Sequence, residues 1–136
     1  MEQQQFINMV QLITQGIKVS IETTFEGSFY KYQKMNYAFG YTVTIENNGK
    51  ETIQLTDRHW DIKDSLNVSE IVEGEGVIGN KPILAPGERH RYSSGCMLQS
   101  PFGAMKGFYN MLNLENGNRF KVGIPSFRLS ATFAMN

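Results

Sequence analysis

From Tyr37 to Glu46 the chain alternates without a break, with Tyr37, Phe39, Tyr41, Val43 and Ile45 set against Ala38, Gly40, Thr42, Thr44 and Glu46. A period of two marks a strand with one buried face, because successive side chains leave an extended backbone on opposite sides. The same period runs through Ile17, Val19, Ile21, Thr23 and Phe25, with Lys18, Ser20 and Glu22 between them. Further strand patterns lie at Val68–Val72, Glu88–Ser94, residues 104–114 and Phe120–Ile124. Turn signals separate these segments every 8–12 residues or so, the spacing of an all-β sandwich.

Two breaks in the alternation are informative. Ile53 and Leu55 are apolar at odd positions, whereas Trp60 and Ile62 are apolar at even ones. Such a phase slip needs an extra residue, which predicts a β-bulge within Thr56–His59 and a Trp60 that points inward like the strand-C tryptophan of immunoglobulin-type domains. Pro125 interrupts the last segment, and the apolar phase reverses at Phe127, Leu129, Ala131 and Phe133. A proline lacks the ladder donor, so this point is a bulge or a switch between sheets.

Asn47-Asn48-Gly49 and Asn116-Gly117 have the composition of tight hairpins. Gly27–Lys34 reads as a mobile hairpin or loop, and residues 1–15 as a short amphipathic turn of helix or an unordered tail. The prediction is one domain over residues 16–136, an immunoglobulin- or fibronectin type III-like β-sandwich of about seven or eight antiparallel strands.

Composition narrows the function. Thirteen basic residues balance 13 acidic ones in a chain of 136, and the basic residues Lys31, Lys34, Arg89 and Arg91 form no cluster that would displace counterions from a nucleic acid. The single cysteine, Cys96, fits a reducing compartment. The first residues do not read as a signal peptide, and no apolar run approaches the ~20 residues of a membrane span. A cytoplasmic protein with no nucleic-acid or membrane partner is expected.

Three ordered blocks, Phe39–Asn47, Arg58-His59-Trp60 and Gly74–Gly79 followed by Pro82, resemble the ApaG (CorD) family. The match continues through Pro86-Gly87, Tyr92–Gly95, Gly103–Tyr109 and Ile124–Leu129, and so covers roughly residues 17–130. Asp57 and Gly40 depart from the serine and alanine more usual there. The resemblance implies a fibronectin-like sandwich and a name linked to cobalt and magnesium resistance and to the operon of diadenosine tetraphosphate hydrolase. It also implies eukaryotic relatives fused to F-box or polymerase-interacting proteins, where the domain serves protein contacts. No catalytic residues and no cofactor travel with it.

Three sets of residues are candidates for contact. Gly74, Gly76 and Gly79 have the G-x-G-x-x-G spacing of pyrophosphate loops, with Lys81 following. The helix such loops need is blocked by Pro82, and Glu73 and Glu75 oppose an anion, which favours glycines serving a tight loop. Asp57, His59 and Asp61 alternate along one strand face and offer O and N ligands to a divalent cation, but same-face neighbours on a strand sit about 6.5–7 Å apart. Met105, Phe108, Tyr109 and Met111 place apolar residues on both faces of one strand, so one face is either covered by the loop 26–35 or the N-terminal tail or serves as a partner-binding surface. Cys96 and Ser93-Ser94-Gly95 lack the marks of an activated nucleophile. The expected function is non-catalytic: binding of another protein, or of a second copy of this chain, ahead of a small phosphate compound or a divalent cation.

Overall fold

The computed structural model describes residues 8–65, 67 and 69–131. Nine antiparallel strands, β1 (Asn8–Thr14), β2 (Ile17–Lys31), β3 (Lys34–Asn47), β4 (Ile53–Asp64), β5 (Glu70–Glu75), β6 (Ile83–Leu84), β7 (Arg89–Leu98), β8 (Phe102–Asn113) and β9 (Arg119–Ser130), form two sheets. One has the order β1-β2-β3-β7; the other has β5-β4-β8-β9, with β6 pairing β4. The described residues contain no helix, and hence none long and apolar enough to cross a membrane.

The alternation works as the sequence predicts. Val19, Ile21, Val43 and Ile45 from one sheet and Leu55, Trp60, Tyr109, Met111 and Val122 from the other are buried between them. Each such side chain contributes roughly 1.5–3 kcal/mol relative to exposure. Tyr41 meets Trp60 at 5.5 Å and Phe127 at 5.9 Å between ring centroids, which joins the layers through aromatic rings. The register of β4 on β8 shifts between Leu55 and Asp57, so Thr56 is the extra residue, and both Leu55 and Trp60 reach the core despite their opposite parity. Pro125 lies in a second shift, where β9 fits two residues against Lys106 alone.

Several expectations change. Residues Asn8–Thr14 form a strand rather than a helical turn or tail, because a two-residue turn at Gln15 and Gly16 (φ 48° and 81°) folds them back along β2; residues 1–7 lie outside the described ones. Together with the two-residue β6, this raises the strand number to nine. The short strand after the β4 turn covers Glu70–Glu75, with Val68 outside the described residues. Gly27–Lys34 is a hairpin of paired strands, the first of the two forms that the sequence offers.

Asn47-Asn48-Gly49 makes no hairpin. It carries the chain from β3 to β4 in the opposite sheet, about 10 Å away, a step that a two-residue turn between neighbouring strands cannot make. The fully buried Asn47 side chain holds this crossing together: Nδ2 donates to the carbonyls of Glu51 (2.8 Å) and Leu84 (2.9 Å), and Oδ1 accepts from the Gly49 amide (3.0 Å). Its backbone meets the next crossing too, donating to Glu88 and accepting from Gly87. Removing these partners leaves buried polar groups unsatisfied, at roughly 1–3 kcal/mol for each. Asn47→Ala is therefore expected to cost about 2–4 kcal/mol, read as a lower urea midpoint at unchanged slope. Thr42→Val, which removes only an exposed hydroxyl pair with Ser93, should stay within about 0.5 kcal/mol of the parent. Equal midpoints for the two variants would refute the role given to Asn47.

Candidate functional site

Strands β2 and β3 outrun their neighbours. Among the described residues β1 pairs β2 no further than Thr23, and β7 pairs β3 no further than Tyr37. Beyond these points Gly27–Asn36 is a ribbon whose two strands pair only with each other, through Phe29↔Asn36, Tyr30↔Met35 and Lys31↔Lys34. A shift between Phe25 and Gly27 starts it, at a glycine with φ 126°. Tyr32 and Gln33 close it, both left-handed at φ 53° and 61°, the geometry of a two-residue turn that matches the twist of a hairpin.

The ribbon presents large apolar groups to solvent. Tyr32 is 84% exposed, Tyr30 68%, Phe29 41% and Met35 38%. By register, Tyr30 and Met35 continue the core-facing side of their sheet past the point where the other sheet covers it. Phe29 lies on the outer side, which it shares with exposed Met97 at the base of the ribbon. The charged residues between Gly27 and Asn36 are Lys31 and Lys34, and the Lys31 ammonium sits 5.1 Å from the Tyr32 ring centre. Tyr32-Gln33 is not a recognisable turn pair, so in the sequence the segment reads equally as a hairpin or a loop.

The residues singled out from sequence fare differently. Met105, Tyr109 and Met111 are buried in the core, so they are no partner surface. They share odd parity, and Phe108 alone of the four faces outward. There it stacks on His59 at 4.7 Å, with the Lys121 ammonium 4.4 Å from its ring centre. Asp57, His59 and Asp61 do share the outer face, since the bulge lies before them, but the structure does not gather them. Asp57 accepts from the Asn110 amide, and His59 Nδ1 lies 3.5 Å from a Glu73 carboxylate oxygen. Among the described residues no group of three His, Cys, Asp or Glu side chains is placed to hold an ion.

The glycine stretch has no helix after it. Gly76 donates to Thr56, and Val77 and Asn80 bond each other, so these amides are engaged within the protein. Gly74 is bare because the Arg58 guanidinium lies over it; a Cβ there would sit 2.9 Å from both terminal nitrogens. Lys81 pairs with Glu75 at 3.4 Å.

Comparison with known proteins agrees with this architecture. The ApaG domain family matches residues 27–113. Protein ApaG of Bradyrhizobium diazoefficiens is 41% identical over 123 residues, 90% of this chain and 94% of that protein. Protein ApaG of Acidithiobacillus ferrooxidans is 41% identical over 115 residues, 85% of this chain and 90% of that one. A Bordetella pertussis protein whose crystal structure carries the name ApaA superimposes with a TM-score of 0.77 at 36% identity, covering 93% of this chain and 95% of that one. A second X-ray structure, a structural-genomics target, gives a TM-score of 0.82 at 34% identity over 88% and 90% of the two chains.

Cys96 on β7 is the one thiol, half-buried opposite Phe39. Burial pushes it up to about 11, and the charges of Glu70 and Asp64 push the same way. A nucleophilic cysteine needs the reverse, a thiol ionised near neutral pH. Alkylation of the folded protein by iodoacetamide should therefore run well below the rate of a free cysteine at pH 8, and should still be climbing above pH 9.5 as the thiolate fraction grows toward the raised value. A rate that levels off below pH 9 would contradict this placement of Cys96.

Proposed function

The chain belongs to the ApaG family, and from that premise we propose a non-catalytic interaction module that docks a partner protein through the ribbon Gly27–Asn36. One observation carries the reading: four large apolar side chains, two of them tyrosines exposed by more than two thirds, stand on a ribbon that contributes nothing to the core. Folding gains little from holding them in water, whereas burying each against a partner is worth roughly 1.5–3 kcal/mol before the costs of association. Tyrosine is enriched at binding hot spots because it brings a large rigid surface at small entropic cost.

The charge of the ribbon narrows the partner. Lys31 and Lys34 flank the tyrosines without an acidic neighbour inside the segment, so the complementary surface is an apolar groove with an acidic rim. Two ribbons brought tip to tip would repel through these lysines, which favours a different protein over a second copy. The half-buried Tyr37 and the exposed Met97 extend the contact toward the body of the domain.

A variant carrying Tyr30→Ser, Tyr32→Ser and Met35→Ser tests the reading beside a control, Ile83→Ser, at an exposed position on β6. Both should keep the parent melting temperature to within a few degrees, since exposed positions carry little stability. Proteins captured by the parent and the control should be lost from the ribbon variant. Light scattering on the parent across a concentration series reads whether self-association contributes. Capture of the same proteins by the ribbon variant would sink the proposal.

A further inference from the structure

A pocket of about 210 Å³ opens where the edges of the two sheets face each other, between β7 on one side and β5 with the Val77–Asn80 turn on the other. It far exceeds the ~10–15 Å³ that one water needs. Arg58 reaches into it from an inward position of β4, half-buried, because the Thr56 bulge turns the even residues of that strand inward. One terminal nitrogen, Nη1, donates to the carbonyls of Glu75 (3.1 Å) and Gly76 (2.9 Å). Among the described residues no carboxylate lies within 4.0 Å of the guanidinium, and the nearby Glu75 carboxylate is paired with Lys81 instead. Two carbonyl dipoles do not neutralise a cation drawn halfway out of water, so the site retains positive charge.

The other walls combine Trp60, Glu75 and Val77 with three hydroxyl-bearing residues. Tyr41, Tyr92 and Ser94 line the same pocket. Burial pushes the Tyr92 and Tyr109 hydroxyls well above the usual phenol range, so both keep their protons throughout the physiological range. Tyr92 and Tyr109 are hydrogen-bonded through their hydroxyls. With Tyr109 as donor, the Tyr92 proton is left for the pocket. Ile78 (φ 47°, 60% exposed) and Gly79 (φ 75°) form the corner of the turn closed by the Val77–Asn80 pair, and Ile78 lines the same pocket with an apolar side chain.

We propose that this pocket binds a phosphate group, held by the Arg58 guanidinium and the hydroxyls of Tyr41, Tyr92 and Ser94, with Ile78 flanking an apolar body that carries the group. Donors supplied from both sheets surround the anion, which suits a tetrahedral oxyanion better than a planar carboxylate. The glycine turn serves as a wall, because the amides of Gly76, Val77 and Asn80 are already engaged. This site is separate from the ribbon and stands or falls without it.

The test is a titration of the ¹⁵N-labelled full chain with inorganic phosphate and with phenyl phosphate, at ionic strength held constant with sodium chloride. Saturable amide shifts at Arg58, Val77–Gly79 and Tyr92–Ser94 are expected, with phenyl phosphate the tighter ligand. Arg58→Gln should weaken both by about tenfold or more, and Tyr41→Phe, which keeps the ring, by a few-fold. Ile78→Gly should erase the preference for phenyl phosphate and leave inorganic phosphate unchanged. If Arg58→Gln fails to fold, Tyr41→Phe decides. No saturable shift up to about 20 mM of either probe, or curves indifferent to Tyr41→Phe, overturns the site; equal affinity for the two probes overturns the part given to Ile78.

Discussion

A sandwich is held apart as much as together: its sheets lie about 10 Å from one another, and every strand that changes sheet must leave its ladder and cross that gap. Three connections do so here, from β3 to β4, from β6 to β7 and from β7 to β8. The two fully buried polar side chains of the described residues stand at these crossings. Asn47 supplies the missing partners of the first, and its backbone ties in the second through Gly87 and Glu88. At the third, Ser100 bonds the Asp64 carboxylate and accepts from Ser65 (2.8 Å), while Asp64 also receives the Gln99 amide (2.7 Å). Each clamp satisfies backbone groups that would otherwise be buried without a partner.

The clamps sit at opposite ends, and that placement sets both candidate sites. By register, β4 runs from the Asn47 end to Asp64, and β3 runs the other way, toward Asn47. The Asp64–Ser100 clamp therefore closes the end from which the ribbon projects, and the Asn47 clamp closes the far end. Between them the Thr56 bulge, whose hydroxyl donates to the Asn110 carbonyl at 3.0 Å, turns both Trp60 and Arg58 inward. One inserted residue thus completes the core with Trp60 and draws a charge into the edge of the sandwich at Arg58.

Much of this architecture is legible in the sequence because alternation is a local property. The parity of Leu55 against Trp60 locates the bulge, and Pro125 locates the second one, without knowledge of partner strands. What fails is whatever depends on a distant partner. Asn47-Asn48-Gly49 has the composition of a hairpin, and only the position of β4 reveals a crossing. Residues 8–14 are apolar at both parities, so their identity as a strand comes from β2 and from β9, where Leu12 lies against Gly123 and Thr14 accepts the Gly123 amide at 3.2 Å. Parity separates Met105, Tyr109 and Met111 from Phe108, but which of the two apolar faces is covered depends on the opposite sheet. Arg58 is silent in the sequence, since an inward arginine looks like any polar residue until the carbonyls of β5 are in place.

Why the ribbon is ordered at all follows from the same division between local and distant effects. A two-stranded hairpin alone is marginal in water, and this one lacks a hydrophobic face packed against a second layer. Its order is borrowed. The strands enter it already paired and twisted by the sandwich, and Gly27 absorbs the register shift at its root. The left-handed turn at Tyr32-Gln33, unfavourable for residues other than glycine or asparagine, is held by the cross-strand pairs behind it rather than by its own preference. The result is an apolar, basic finger whose direction is set by a rigid base but whose surface has no partner within the described fold, the arrangement in which a contact site costs the least folding stability.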